Sequence, residues 1–442
     1  MEGLIMTAQL LLGLCILVGL HELGHMLAAK AFGMKVEKFS IGFPPKIFGF
    51  KIGETEYSLG ALPLGGFVKI SGMIDESLDT NYLKSEPEPW EYRAKPAWQR
   101  LIVMMGGIIM NIITGIVVFI CVVYFYGDTY YSVDEVNKHG IYVNEIGREM
   151  GLERGDKVIK LNGKSFDNFD EVRNPNFLLA EGSYYTILRK GREIDIHIPS
   201  DLIEKLSEKD VDRNFIDALK PFLVNKVEDG TPAARAGLQK GDKIIAVDGE
   251  PVPYFQDLQK ILYRNSGKNI DLKVARSQKD AIDTLQLSSE VTEKGTLGFY
   301  PAWDLEVSRT HYTFVESIPK GTKEAFGVII IQLKAFKKIL KGEVSASKSL
   351  SGPIGIAQFF GGVWNWTHFW MITGMLSMVL AFMNFLPIPA LDGGHVVFLS
   401  YEIISGRPPS DKFLEGAQKV GMFLLLGIMV FAFGNDIYKW LF

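Results

Sequence analysis

Two histidines and a glutamate stand together in an apolar stretch near the start of the chain. His21, Glu22 and His25 form the pattern HELGH within Leu4 to Phe32, a stretch that approaches the span of a bilayer as a helix. The four-residue spacing places His21 and His25 on one helix face, with their Cβ atoms about 5–6 Å apart. This spacing suits two nitrogen ligands of one zinc ion. Glu22 can then act as the base that takes a proton from the attacking water.

The apolar surroundings of HELGH speak against a chance occurrence. Only 7 of the 442 residues are histidine. Moving an ionisable side chain into hydrocarbon costs on the order of 2.5–3.5 kcal/mol on insertion scales, so such groups persist mainly where they function and have partners. We therefore interpret His21 and His25 as metal ligands and Glu22 as a catalytic residue.

A second group of candidate residues lies at Met383 to His395, MNFLPIPALDGGH. Pro387 and Pro389 stop the preceding helix and leave unpaired backbone at membrane depth, which is tolerated beside a polar cavity. Asp392 offers an oxygen that, with the two histidines, makes three protein ligands and leaves the fourth position for water. We expect Gly393 and Gly394 to let this backbone approach the metal-binding helix closely.

Other polar residues near these motifs leave alternatives open. Glu54 or Glu56 could replace Asp392 as the third ligand, because soluble zincins use a downstream glutamate. Asn111, in another apolar stretch, favours a contact between helices over catalysis. His395 favours a hydrogen-bonded role beside the site over that of a fourth ligand, which would close the site.

The chain as a whole is apolar for a soluble protein, since 47% of its residues are hydrophobic and its mean hydropathy is +0.12. The excess is confined to four stretches, at Leu4 to Phe32, Ala97 to Tyr126, Trp366 to Leu386 and Val420 to Ile437. They predict four transmembrane helices, and so a lipid bilayer as a partner. The first lacks a basic n-region and carries the candidate metal site, so we expect it to be retained.

Charge and cysteine usage exclude other classes of protein. The net charge of −4 gives no case for nucleic-acid binding. Cys15 and Cys121 both lie in apolar stretches, so neither a disulfide framework nor a thiolate zinc site is available to the soluble part of the chain.

The segment from Gly33 to Lys69 has strand-like alternation and glycine punctuation, so we predict a membrane-associated β-hairpin region at residues 36–72. The run Leu59 to Phe67 is too apolar for a solvated loop. A β-element beside the metal-binding helix could offer an edge to an extended substrate. The candidate contact residues on that edge are Leu62, Leu64, Gly65 and Phe67. The alternative is a hairpin that only packs on a domain. Ile70 to Pro96 is acidic and polar and predicts a mobile connector.

The middle of the chain is internally repeated. GLERGDKVIKLNG at Gly151 to Gly163 aligns with GLQKGDKIIAVDG at Gly237 to Gly249, an offset of 86 residues. Gly-Asp before an apolar strand, followed by Asn-Gly or Asp-Gly, predicts a turn, a strand and a second turn. We therefore predict two small domains, at residues 127–219 and 220–306.

The last part of the chain, residues 307–442, contains a basic amphipathic pattern before its apolar stretches. Lys320 to Lys341 places apolar residues at helical spacing among lysines, which predicts a helix at a membrane surface. The alternative is a helix packed on the second repeat. The segment Ser349 to Ala357 then breaks the helix before the next apolar stretch.

The pairing of HELGH with NFLPIPALDG resembles the site-2 protease family of intramembrane zinc metalloproteases, which carry HExxH on the first core helix and NxxPxPxLDG on the third. The likeness extends to the motifs SIGF, LPLGGFVKI and LSGPIGIA, and both repeats look like PDZ modules, as in the RseP type of Gram-negative bacteria. One departure is Gly42-Phe43-Pro44, where relatives have Gly-Phe-Gly. Because proline removes a backbone donor, the hydrogen bonding of that loop must differ.

The resemblance implies a multi-domain membrane protein with a four-helix metalloprotease core, a membrane-associated β-hairpin region and two α+β PDZ-like domains. It implies one zinc ion, held by His21, His25 and Asp392. It also implies that Asn384 stabilises the oxyanion or holds the substrate strand, the alternative being a helix-capping role. Pro387 and Pro389 of the same motif are further candidates for this substrate-binding or oxyanion site. In the second PDZ-like domain, Pro221, Phe222 and Leu223 take the place of the peptide-binding loop.

The resemblance further implies substrates and a location. The substrates are single-span membrane proteins, such as anti-sigma factors already shortened by an upstream site-1 protease, and remnant signal peptides. The PDZ-like pair then acts as a size filter. The location is the bacterial inner membrane, with both termini and the PDZ-like domains in the periplasm.

A tethered adaptor and a zinc transporter are the two alternative classes of protein. A catalytically inactive, membrane-tethered PDZ adaptor should lack Glu22 or Asp392, and this chain keeps both. A zinc transporter needs a polar path through the bilayer, and the stretches Ala97 to Tyr126 and Val420 to Ile437 provide almost none.

Overall fold

A computed structural model of the chain describes residues 2–73, 86–206, 212, 214–278, 281–343 and 352–441. Its internal contacts form two compact units. We call Met1–Gly127 together with His311–Phe442 the membrane unit, and Asp128–Thr310 the repeat unit. The strand Val307–Thr310 pairs with Asp128–Tyr131, so the repeat unit extends past the boundary expected at residue 306.

The helices and strands follow one another in a mixed order. The α-helices are α1 (Glu2–Ala31), α2 (Ala97–Tyr126), α3 (Val133–His139), α4 (Glu145–Glu149), α5 (Pro175–Leu178), α6 (Leu202–Leu206), α7 (Pro232–Ala236), α8 (Phe255–Arg264), α9 (Phe314–Leu340), α10 (Pro353–Phe360), α11 (Trp366–Phe385), α12 (Asp392–Ser405) and α13 (Asp411–Leu441). The strands are β1 (Val36–Ile52), β2 (Thr55–Ile70), β3 (Asp128–Tyr131), β4 (Ile141–Val143), β5 (Lys157–Leu161), β6 (Tyr184–Arg189), β7 (Arg192–His197), β8 (Ile216–Ala218), β9 (Phe222–Val227), β10 (Lys243–Val247), β11 (Glu250–Pro251), β12 (Asn269–Gln278), β13 (Ala281–Glu290), β14 (Phe299–Trp303) and β15 (Val307–Thr310).

Within the described part of the membrane unit, four helices are long and apolar enough to cross a bilayer: α1, α2, α11 and the part Lys412–Ile437 of α13. They confirm the four helices predicted from the apolar stretches. Helices α1 and α2 pack closely where two glycines meet. A Cβ atom added to Gly106 would lie 2.6 Å from the carbonyl oxygen of Gly24. Small residues allow membrane helices to approach in this way.

Strands β1 and β2 form the predicted β region next to α1. Ile52 pairs with Thr55 at the turn, and Val36 pairs with Ile70 at the other end. Residues 38–41 have partners on both sides, at 56–59 and at 66–69. The strand β1 turns at Gly42, which has a φ of +86° and no room for a side chain, since a Cβ atom there would lie 2.8 Å from the Gly60 oxygen.

The repeat unit contains two hydrophobic cores, one for each sequence repeat. Tyr185 and Ile187 are buried in the first core, and Leu272 and Val274 are buried in the second. The first repeat contains the three-stranded sheet β5-β6-β7, and the second contains the four-stranded sheet β11-β10-β12-β13. Each sequence repeat therefore has a hydrophobic core and an antiparallel sheet of its own.

A buried ion pair stabilises the Gly-Asp turn of each repeat. Asp242 is 0% exposed, accepts from the backbone N–H of Gln239 (2.8 Å) and pairs with Arg276 of β12 (2.7 Å). In the first repeat, Asp156 accepts from Glu153 N–H (2.7 Å) and pairs with Arg189 (2.6 Å). Each arginine also donates to a carbonyl group of its turn. The aspartate of the motif thus connects a turn to a neighbouring strand.

Helix α9 begins at a capping box in which Thr313 and Glu316 bond each other's backbone N–H groups. Its small residues face α2: Gly321 lies against Ile120, and Ala325 is buried beside Phe119. The contact with α2 was not expected from the basic amphipathic pattern. Large apolar residues of α9 remain exposed, which is compatible with a membrane surface. The surface location of Lys320 to Lys341 stays a prediction.

Two sequence-based expectations fall partly outside the described residues. They concern residues 74–85 of the predicted connector and residues 349–351 of the helix-breaking segment. The described remainder of that segment begins α10, whose N-terminal N–H groups at Gly352, Ile354 and Gly355 donate to the Asp436 carboxylate of α13.

We predict that Arg276→Met lowers the free energy of unfolding of the repeat unit by on the order of 3 kcal/mol, because it leaves the buried Asp242 carboxylate unpaired. Unfolding can be followed in the full-length protein by pulse proteolysis in urea. The matched control is Arg264→Met, which breaks an ion pair whose two side chains are 62% and 53% exposed, and little change is expected there. Equal losses in the two variants would contradict the prediction.

Candidate metal centre

Three predicted ligands converge in the membrane unit. The Nε2 atoms of His21 and His25 lie 3.2 Å apart on one face of α1. The Oδ2 atom of Asp392, from the start of α12, lies 3.2 Å from His21 Nε2 and 3.4 Å from His25 Nε2. All three ligand atoms fall within 4.8 Å of one another. Among the described residues, no other group of three or more His, Cys, Asp or Glu side chains meets in this way.

The chemistry of these three atoms fits a bound metal ion. His25 Nδ1 lies 2.8 Å from the carbonyl oxygen of Val103. A carbonyl can only accept, so His25 Nδ1 carries the proton and its Nε2 presents a lone pair. Asp392 Oδ2 is buried and has no hydrogen-bond donor among the described residues. The His25 Nε2 lone pair and the Asp392 carboxylate oxygen therefore face one another at a position suited to a cation, and two imidazoles with one carboxylate are a ligand set of catalytic zinc.

A tight turn brings Asp392 to α1. Helix α11 ends before Pro387 and Pro389, and Ala390 adopts a φ of +77°, which is uncommon for a residue other than glycine. Gly393 and Gly394 serve this turn: Cβ atoms there would lie 2.6 Å from the oxygens of Phe385 and Ile388, respectively. The nearest backbone to both glycines belongs to their own turn, and their close approach to the metal-binding helix stays a prediction.

Helix α2 supports the two histidines from one side. Gly107 lies directly beneath both rings, and a Cβ atom there would be 2.7 Å from His21 Nδ1. One turn further along α2, the amide of Asn111 lies 3.0 Å from the same nitrogen atom. The sequence favoured a contact between helices for Asn111, and the structure places its side chain on a candidate ligand.

Glu22 lines a cavity of about 600 Å³ next to the three ligands. Its carboxylate lies within reach of the backbone N–H of Val68 in β2. Gly66 makes this approach possible, since a Cβ atom there would lie 2.9 Å from Val18 of α1 and 3.4 Å from the Glu22 side chain. The base candidate, the ligands and a strand backbone therefore share one cavity.

The strand segment on this cavity differs in part from the predicted one. Gly66 to Ile70 line it, and so do Phe43 and Pro44. Of the residues named from the sequence, Phe67 lines the cavity, whereas Leu62 and Gly65 do not. The side chain of Leu64 lies outside the described residues. The sequence located the β-element correctly, and the contacts of Leu62, Leu64, Gly65 and Phe67 with a substrate stay a prediction.

The residues of NFLPIP have different positions. Asn384 lines the cavity, and its Nδ2 lies 3.3 Å from His21 Nε2. Pro387 is exposed and Pro389 is half-buried, and neither lines the cavity. The Pro389 carbonyl packs against Gly421 of α13 instead. Asn384 is therefore the one of these three residues that lies on the cavity, and a substrate-binding role stays a prediction for all three.

The alternative ligands lie elsewhere. Glu54 is exposed in the turn between β1 and β2, and Glu56 is paired with Lys46. Neither glutamate lines the cavity. His395 does line it but does not belong to the group of three ligand atoms.

The predicted peptide-binding residues of the second repeat serve its core. Pro221 is buried and Phe222 is 1% exposed. Leu223 is half-buried and pairs with Ala302, while Phe222 pairs with Trp303. Their role in binding a peptide stays a prediction.

We predict that Gly107→Ala weakens metal binding by about tenfold or more, because the added methyl group forces the imidazoles out of position. Metal content after dialysis against graded chelator measures this. Gly427→Ala is the matched control, since a Cβ atom at Gly427 in α13 meets nothing within 4 Å. Unchanged metal affinity in Gly107→Ala would contradict the packing described for α2.

Known proteins match this sequence along nearly the whole chain. The regulator of sigma E protease of Haemophilus influenzae is 28% identical over 449 residues, covering 97% of this chain and 98% of that protein. The regulator of sigma-E protease RseP of Escherichia coli is 28% identical over 463 residues, covering 98% of both chains. A protein of Neisseria meningitidis, named as a candidate zinc metalloprotease, is 27% identical over 450 residues, covering 96% of this chain and 97% of that protein.

The profile of peptidase family M50 matches residues 9–428, a range that includes HELGH and the turn carrying Asp392. The chain therefore belongs to peptidase family M50, the site-2 proteases.

Proposed function

We propose that this zinc metalloprotease hydrolyses peptide bonds within the transmembrane segments of single-span membrane proteins. One observation carries the proposal: His21, His25 and Asp392 converge beside Glu22 among helices that can cross a bilayer. The three ligands leave a coordination position open, as in catalytic rather than structural zinc sites.

Each residue of the cavity has a part in the proposed reaction. Zinc, when bound by His21, His25 and Asp392, polarises the scissile carbonyl group and makes water a stronger acid. Glu22 takes a proton from the attacking water and returns it to the leaving amine nitrogen. The amide of Asn384 donates a hydrogen bond to the oxygen on which negative charge develops.

The substrate must be extended at the point of cleavage, because an α-helix engages its carbonyl groups in internal hydrogen bonds. The segment Gly66 to Ile70 supports such a conformation, since it lines the cavity and pairs on one side with β1. A substrate strand can add to the other side. The names of two relatives connect them with the regulation of sigma E, which is consistent with anti-sigma factors as one group of substrates in this proposal. Remnant signal peptides are the second group that we propose.

The repeat unit acts in this proposal as two PDZ-like domains that form a size filter. Arg154 of the first repeat donates both terminal N–H groups to the Asp257 carboxylate of the second repeat. Its guanidinium group also lies 5.4 Å from the Tyr254 ring. These contacts support a pair of domains that exclude bulky substrates together. An upstream site-1 protease would remove that bulk, with the repeats and both termini in the periplasm and the helices in the inner membrane.

We predict that Glu22→Gln lowers the rate of cleavage by about 10²- to 10⁴-fold while zinc remains bound, because the amide cannot take a proton from water. Cleavage of a single-span reporter in detergent, with zinc quantified in the same samples, tests this. Glu54→Gln serves as the control, since Glu54 is exposed in a hairpin turn. Cleavage by Glu22→Gln at the wild-type rate would overturn the assignment of the base.

We further predict that Asp392→Asn lowers zinc affinity by about 100-fold or more, because the neutral amide is a far weaker ligand than the carboxylate. Glu56→Gln should leave zinc affinity unchanged, since Glu56 is paired with Lys46 away from the cavity. Chelator competition measures both. If neither wild type nor variant binds zinc, the protein is a tethered adaptor rather than an enzyme.

A further inference from the structure

One row of residues on α2 faces the two candidate histidine ligands. Val103, Gly107 and Asn111 are spaced four residues apart, so they follow one another along a single face of the helix. Each contacts a histidine ring: Val103 through its carbonyl group, Gly107 through its bare Cα, and Asn111 through its amide. This face of α2 is therefore shaped to the imidazoles and not only to the backbone of α1.

The two histidines need the same protonation pattern to act as ligands through Nε2. A neutral imidazole carries one proton, so Nε2 has a lone pair only when Nδ1 is protonated. The Val103 carbonyl oxygen secures this state for His25. His21 Nδ1 needs an acceptor of its own, and the Asn111 side chain is its hydrogen-bond partner among the described residues.

The Asn111 amide can supply that acceptor. Its side chain is 0% exposed, and its Oδ1 atom has no hydrogen-bond partner among the described residues. A half-turn of the amide exchanges Nδ2 and Oδ1, which places the oxygen on the proton of His21 Nδ1. The backbone of Asn111 is itself fixed, because Ser377 Oγ of α11 donates to its carbonyl oxygen at 2.8 Å.

We infer that Asn111 is a positioning residue for zinc binding, which accepts the Nδ1 proton of His21 and so directs the Nε2 lone pair toward Asp392. The inference deepens the proposed function and rests on it. Metal-binding histidines commonly donate their second nitrogen to such an oxygen, and loss of that partner typically lowers metal affinity 10- to 100-fold.

The experiment measures the zinc affinity of the full-length protein in detergent by chelator competition, with zinc alone as the ligand. Asn111→Leu removes the amide at similar volume, and Asn111→Thr leaves a polar group too short to reach the ring. Asn111→Asp keeps an acceptor and loses the donor. Ser377→Ala is the control for packing between α2 and α11, because it removes a hydrogen bond to the backbone of Asn111 and leaves the amide in place.

We expect zinc affinity to fall about 10- to 100-fold in Asn111→Leu and Asn111→Thr, and to return to within about threefold of wild type in Asn111→Asp. Ser377→Ala should bind zinc as wild type does. If Asn111→Leu fails to fold by circular dichroism, Asn111→Thr carries the comparison.

Two results would overturn the inference while leaving the proposed function intact. The first is wild-type zinc affinity in Asn111→Leu or Asn111→Thr. The second is an affinity in Asn111→Asp as low as in Asn111→Leu, since a role in helix packing alone is not rescued by an acceptor. Absence of zinc binding in the wild type would instead refute the proposed function itself.

Discussion

The structure of the membrane unit depends on one electrostatic constraint: three atoms with lone pairs are held together among apolar helices. Burying polar groups away from water is costly unless each has a partner. The His25 Nδ1 proton goes to Val103, and the three inward-facing atoms of His21, His25 and Asp392 share a position suited to a cation. Each of these buried polar atoms has a partner only if the three elements that carry them lie close together. This requirement explains how α1, α2 and the turn before α12 are arranged.

Elements that approach one another this closely require glycine at the points where they meet. Gly24 and Gly106 let α1 and α2 touch backbone to backbone, and Gly107 leaves room for both rings. Gly66 admits the strand to α1 beside Val18 and Glu22. A single methyl group would block each of these contacts. The packing of the helices and the geometry of the ligands therefore depend on the same few glycines.

The sequence predicted the parts of this site that depend on local spacing. HELGH defines a helix face by itself, and LPIPALDG predicts a broken helix followed by a carboxylate. The contact of Asn111 with His21 and the exact segment of β2 that lines the cavity could not be predicted, because they depend on which face of α2 and which edge of β2 meet α1. In the repeats, the Gly-Asp turns were predictable for the same reason, whereas Arg189 and Arg276 reach those aspartates only through strand pairing.

The proposed cleavage also requires that a substrate helix unwinds within a membrane, so the free-energy cost of unwinding has to be lowered. Backbone N–H and C=O groups without partners are strongly unfavourable in hydrocarbon, which is why membrane-spanning segments are helical. A strand segment that lines the cavity beside the ligands offers replacement partners at the place where the helix must open. Pairing with Gly66 to Ile70 would offset part of the lost helical hydrogen bonding and present a carbonyl group to Asn384 and the metal at once. Binding of the extended chain and exposure of the scissile bond are then a single step.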